Sequence, residues 1–63
     1  MDGKKRSDIA IGANVLIVQK QDQRTGNLTE GVVKKILTKS PEHPHGIKVM
    51  LQDGTVGRVK KVL

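Results

Sequence analysis

Ile47-Lys48-Val49-Met50-Leu51-Gln52-Asp53-Gly54-Thr55-Val56-Gly57-Arg58-Val59 is the stretch that decides the fold. Its first six residues alternate, and period-two alternation is the pattern of a strand with one face on a core. Ile47, Val49 and Leu51 are therefore expected inward, with Lys48, Met50 and Gln52 outward. Asp53-Gly54 follows at once, a pair suited to a two-residue type I′ turn because both central positions take positive φ. Thr55 to Val59 is then the returning strand. Val56, Val59 and Val62 recur every three residues, which breaks the alternation, so either a bulge at Gly57 or a final 3₁₀ turn is expected there.

Upstream, Val15-Leu16-Ile17-Val18 is rich in β-branched residues and bounded by turn residues, which predicts a strand covered on both sides. Ile9 and Ile11 precede it as a short lead-in expected to face the core, and Gly12-Ala13-Asn14 turns the chain. Lys20 to Thr29 has one apolar residue, Leu28, and reads as a long polar loop with a turn at Thr25-Gly26-Asn27. Glu30 to Thr38 matches helical spacing as well as strand. Gly31 and the β-branched positions favour a bent strand with a bulge at Lys34-Lys35. Pro41 and Pro44 make Lys39 to Gly46 a rigid loop. Met1 to Ser7, carrying Lys4-Lys5-Arg6, is expected to be a flexible basic arm ahead of a single domain over 8–63. The fold class is all-β: four to five antiparallel strands closed into a small SH3-like, KOW-like barrel, since closure removes open edges.

Composition limits what such a barrel does. Sixty-three residues allow one small domain, and 35 % apolar residues without Phe, Tyr, Trp or Cys give an aliphatic core. A chain of this size buries only about 60 % of its unfolded surface, which leaves little room for a deep substrate pocket. There is no thiol for a disulfide, a zinc cage or a nucleophile, and a cytoplasmic location follows as the default. No apolar run approaches the roughly 20 residues of a membrane span, so no membrane partner is expected, and a monomer is.

Twelve Lys/Arg against six Asp/Glu give +6. From Lys34 onward, seven bases face only Glu42 and Asp53, so the C-terminal half carries +5. That field attracts polyanions, nucleic acid above all, although net charge of this size also serves solubility alone. Arg24, Lys34, Lys35, Lys39, Lys48, Arg58 and Lys60 are the candidate nucleic-acid-binding residues. With no aromatic platform for bases, contacts would go to phosphates or to RNA shape. The same lysines would equally suit a solvated strand face that discourages aggregation. Arg24 either reaches a partner or orders its own loop through Asp22 or Glu30. Glu42-His43-Pro44-His45 holds metal-ligand types without a fourth ligand, and Ser40 is the one hydroxyl near a histidine, so no metal site, cofactor or catalytic residue is assigned.

Two resemblances accompany this pattern. Gly12-Ala13-Asn14-Val15-Leu16-Ile17-Val18, the loop with Gly26, and Gly31-Val32-Val33-Lys34-Lys35-Ile36-Leu37 resemble the KOW motif of SH3-like barrels in ribosomal and transcription-elongation proteins. The loop after the first strand is longer than in that motif, and the Pro-rich segment is an insertion. Across nearly its whole length the chain is similar to the small YwbE-like family of bacteria and archaea. The carrying segments are Asp22-Gln23-Arg24-Thr25-Gly26, Gly31-Val32-Val33-Lys34, Ser40 to Val49 and Asp53 to Val59. That resemblance implies a domain of this length and carries over no catalytic residue. A small basic non-enzymatic module contacting structured RNA or a ribonucleoprotein is the expectation. The alternative is an adaptor that binds an acidic protein surface or adds a peptide strand to an open barrel edge.

Overall fold

The structure is a computed structural model and describes residues 3–63. Four strands run β1 (Asn14–Val18), β2 (Thr29–Ile36), β3 (Lys48–Leu51) and β4 (Val56–Val62), with 3₁₀ turns at Arg6–Asp8 and Lys20–Asp22. Each strand pairs antiparallel with the next, and β4 returns to pair with β1, so the sheet closes as the expected small SH3-like barrel. Among the described residues there is no α-helix.

The barrel interior is built by alternation. Ile47, Val49 and Leu51 point inward from β3 and its approach, and they meet Val15 and Ile17 of β1, Val33 of β2, Val59 of β4 and the lead-in Ile9. Burying each such side chain contributes roughly 1.5–3 kcal/mol relative to exposure. Six of the eight are Val or Ile lying in or beside strands, where β-branched side chains pack well. Two bulges keep the phase. One falls between Val33 and Lys35 on β2, where the bend was expected, and turns Ile36 back onto the core. The other lies on β4, where Leu16 faces Lys61 but Ile17 faces Val59, leaving Lys60 as the extra residue and Val62 packed on the core.

The break in the valine spacing is thus a bulge at Lys60, not at Gly57. Gly57 stays in register opposite Val49, and its lack of a side chain serves close packing: a Cβ there would lie 2.6 Å from the Val18 carbonyl oxygen. The turn after β3 also differs from expectation. Gly54 N–H donates to Leu51 O (2.9 Å) and Leu51 N–H to Thr55 O (2.7 Å), which makes a three-residue loop, Gln52 to Gly54. Only Gly54 takes positive φ, +90°, because the Asp53 carboxylate accepts the Thr55 N–H at 2.9 Å and holds Asp53 in ordinary backbone space.

Ile11, expected inward with Ile9, is 62 % exposed. The Ala10–Ala13 turn and Gly12 at φ +92° rotate the chain before the alternation reaches it. The expected basic arm is, from Gly3 onward, tied to the proline loop. Arg6 N–H donates to Pro41 O, His43 N–H to Lys4 O and Ile47 N–H to Gly3 O, and Lys5 bridges Glu42. Met1 and Asp2 lie outside the described residues.

Candidate nucleic-acid interface

Side chains of directly paired residues share a face of the sheet, so register alone assembles the basic surface. Lys48 pairs with Arg58, and Met50 pairs with both Lys35 and Val56. Lys48 and Met50 are two apart on β3, as are Val56 and Arg58 on β4, which puts Lys35, Lys48 and Arg58 on one outer face around Met50 and Val56. Lys60 follows two residues after Arg58, displaced outward by the bulge. Lys34 is exposed at the β2 bulge beside Lys35. β3 and β4 contain no Asp or Glu. Lys39 is exposed in the loop beyond β2, next to Thr38, whose hydroxyl accepts the Lys48 N–H at 2.8 Å.

Two of these cations are held at their tips by one loop. Arg58 Nη1 donates to Gly46 O (3.1 Å) and Lys60 Nζ to His45 O (3.2 Å). The loop is itself fixed: Gly46 N–H donates to His43 O, and His45 N–H donates to His43 Nδ1 at 3.1 Å, with the two rings 5.8 Å apart. An accepting Nδ1 is the unprotonated nitrogen. In keeping with that, partial burial, with the charges of Arg58 and His45, holds the His43 pKa below its usual value. Among the described residues no group of three metal-ligating side chains forms around these imidazoles.

Arg24 stands apart from the strand face, at the tip of the β1–β2 loop. That loop is ordered by other means: Gln19 Nε2 donates to the Thr29 hydroxyl (3.0 Å), Gly26 N–H donates to Asp22 O (2.8 Å), and Asn27 N–H donates to the Thr25 hydroxyl. Among the described residues Arg24 is exposed, and neither Asp22 nor Glu30 engages it. The loop and β4 together line an open groove of about 600 Å³, to which the loop gives Gln23, Gly26 and Leu28, β1 gives Val18, β4 gives Arg58 and Lys60, and the proline loop gives His45. Val18 and Leu28 are its aliphatic lining. Val18 points away from the barrel core and is only 5 % exposed, while Leu28 is 48 % exposed.

Sequence reasoning missed His45 and this groove, because both depend on loops that return to β4. The Lys4-Lys5-Arg6 run joins this region too: its backbone pairing with residues 41–43 sets it beside the histidine loop. That contact is made by backbone groups, which leave no signal in the sequence.

No helix among the described residues is long and apolar enough to cross a membrane. The model of the family described as Uncharacterized conserved protein (DUF2196) matches residues 2–62. A relative from Bacillus subtilis (strain 168), "Uncharacterized protein YwbE", is 56 % identical over 63 residues, covering 100 % of this chain and 97 % of its own. No solved structure matches.

Proposed function

The chain belongs to the family described as Uncharacterized conserved protein (DUF2196), and from its surface we propose a small cytoplasmic, non-enzymatic module that binds structured RNA or a ribonucleoprotein through phosphate contacts. The observation that carries this reading is the outer face of β2, β3 and β4, where Lys35, Lys48, Arg58 and Lys60 gather and neither β3 nor β4 supplies a carboxylate. A direct Lys48–Arg58 pair sets like charges across a ladder, which destabilises a sheet. A surface serving solubility alone gains nothing from that pairing, whereas a surface that neutralises phosphates does.

Closure of the barrel weighs against one form of the adaptor alternative. β1 pairs with both β2 and β4, so among these four strands no open edge offers itself to an added peptide strand. An acidic protein partner is the other outcome of the test.

The test is fluorescence anisotropy with a hairpin RNA at several salt concentrations. Affinity should fall steeply with salt, and replacing Lys35, Lys48 and Arg58 together by Gln should lower both the affinity and the log–log salt slope, the latter by about one unit per lost phosphate contact. Absence of binding near physiological salt, or unchanged binding by the triple variant, overturns the RNA reading. A protein partner retained after nuclease treatment, through the same basic residues, would put the adaptor in its place.

A further inference from the structure

The proposed phosphate contacts need only the basic face, which does not account for the groove beside it. Its lining includes two cations already held by carbonyl oxygens: Arg58 uses one of its five N–H donors on Gly46 O, and Lys60 one of three on His45 O. The remaining donors are left for an anion. The rest of the lining is different in kind. Val18 and Leu28 are aliphatic, and Leu28 is a half-exposed leucine in an otherwise polar ten-residue loop. Gln23, also in the lining, offers an amide that both donates and accepts, and the hydrogen bonds within its loop hold that segment in place without a ligand.

Anion donors, aliphatic side chains and an amide in one lining match the three parts of a nucleotide: phosphate, the flat face of a base, and the base edge. The volume of about 600 Å³ falls within the usual range for small-ligand sites. Resting on the RNA reading above and narrowing it, we propose that the groove takes one unstacked nucleotide of a bound RNA, with the phosphate on Arg58 and Lys60, the base over Leu28 and Val18, and its edge toward Gln23. The aliphatic side chains then take the place of the aromatic platform this chain lacks. RNA with a loop or bulge is consequently preferred over a continuous duplex.

The first test uses small probes, so it does not depend on RNA affinity. Adenosine 5′-monophosphate and inorganic phosphate are titrated into ¹⁵N-labelled protein. The nucleotide should move the amides of Gln23, Gly26, Leu28 and His45 and saturate at a concentration roughly fivefold or more below that of phosphate. Equal saturation by phosphate, shifts confined to other residues, or tighter binding of an acidic hexapeptide at the same amides overturns the proposal.

The second test compares a hairpin with a blunt duplex of equal phosphate number. The substitution Leu28→Asn is at a half-exposed loop position. It should weaken hairpin binding roughly fivefold and leave duplex binding unchanged. If both RNAs bind wild type and variant equally, the groove proposal fails and the phosphate reading stands. If neither RNA binds near physiological salt while the nucleotide still moves the groove amides, the RNA reading fails and a free-nucleotide site takes its place.

Discussion

Lys48→Glu should make this protein more stable and a poorer RNA ligand at once. Lys48 and Arg58 are direct cross-strand partners, so the substitution turns a like-charge pair into an opposite-charge pair. Cross-strand ion pairs contribute roughly 0.2–1 kcal/mol, and removing repulsion adds to gaining attraction; the exposure of Lys48 keeps the sum near about 0.5–1 kcal/mol at low salt. Arg58 need not release Gly46 O to reach the new carboxylate, since its guanidinium has further donors. The gain should shrink at high ionic strength, because exposed charges are screened within a few ångströms at about 1 M salt. Net charge meanwhile drops from +6 to +4, and hairpin RNA affinity should fall with it. Urea denaturation at about 0.02 M and about 1 M salt, with anisotropy on the same samples, reads both effects. A loss of stability at low salt, or a gain that salt leaves untouched, refutes the assigned register and face. Unchanged RNA affinity refutes the functional reading of that face.

Val49→Ala should cost about 1–3 kcal/mol by urea denaturation, since Val49 is fully buried, while Lys48→Ala should stay within about 0.5 kcal/mol; equal effects would reverse the phase of β3. Gly46→Ala and Gly54→Ala both force an alanine into positive φ, at +101° and +90°. A Cβ at Gly46 also collides with the Val59 carbonyl oxygen, whereas at Gly54 it meets open space. The Gly46 variant should therefore lose about 2–4 kcal/mol and the Gly54 variant about 1–2 kcal/mol, measured the same way. His43 binds its proton less readily folded than unfolded, so the associated stability is complete above its ordinary pKa of 6.5 and is lost as pH falls through the lower folded value. The urea midpoint should drop between about pH 7.5 and about pH 5.5, and His43→Gln should flatten that drop. Asp53, whose pKa is lowered by hydrogen bonds from Thr55, should add a second loss only as pH falls below its ordinary 3.8.

Ile47, Val49 and Leu51 were legible in advance because alternation acts through side chains, which are what a sequence spells out. The arm over residues 3–6 was not, since its attachment uses backbone N–H and C=O groups that every residue carries, and Gly3 packs against Val59 by having no side chain. The Asp53-Gly54 turn was misread for a related reason. The pair permits two geometries, and the choice rests on one Asp53 carboxylate contact with the Thr55 N–H. For the candidate site, the excess of Lys and Arg was plain, but its division was not: register unites Lys35, Lys48 and Arg58, and the bulge adds Lys60, while Arg24 goes to a separate loop.

Closing β4 onto β1 also determines when the molecule can fold. Val18 pairs with Arg58, forty positions later, and Val15 with Val62, so the seam joins the first strand to the last. Loop-closure entropy must be overcome before those contacts return anything, which places such a topology among the slower small folders, on the order of milliseconds to seconds. A nascent chain has no partner for β1's second edge until β4 emerges, and until then Val59 is missing from the core. Folding is therefore held until β4 is available, and a loosening of β4 releases two seams together, so unfolding should proceed as a single cooperative event.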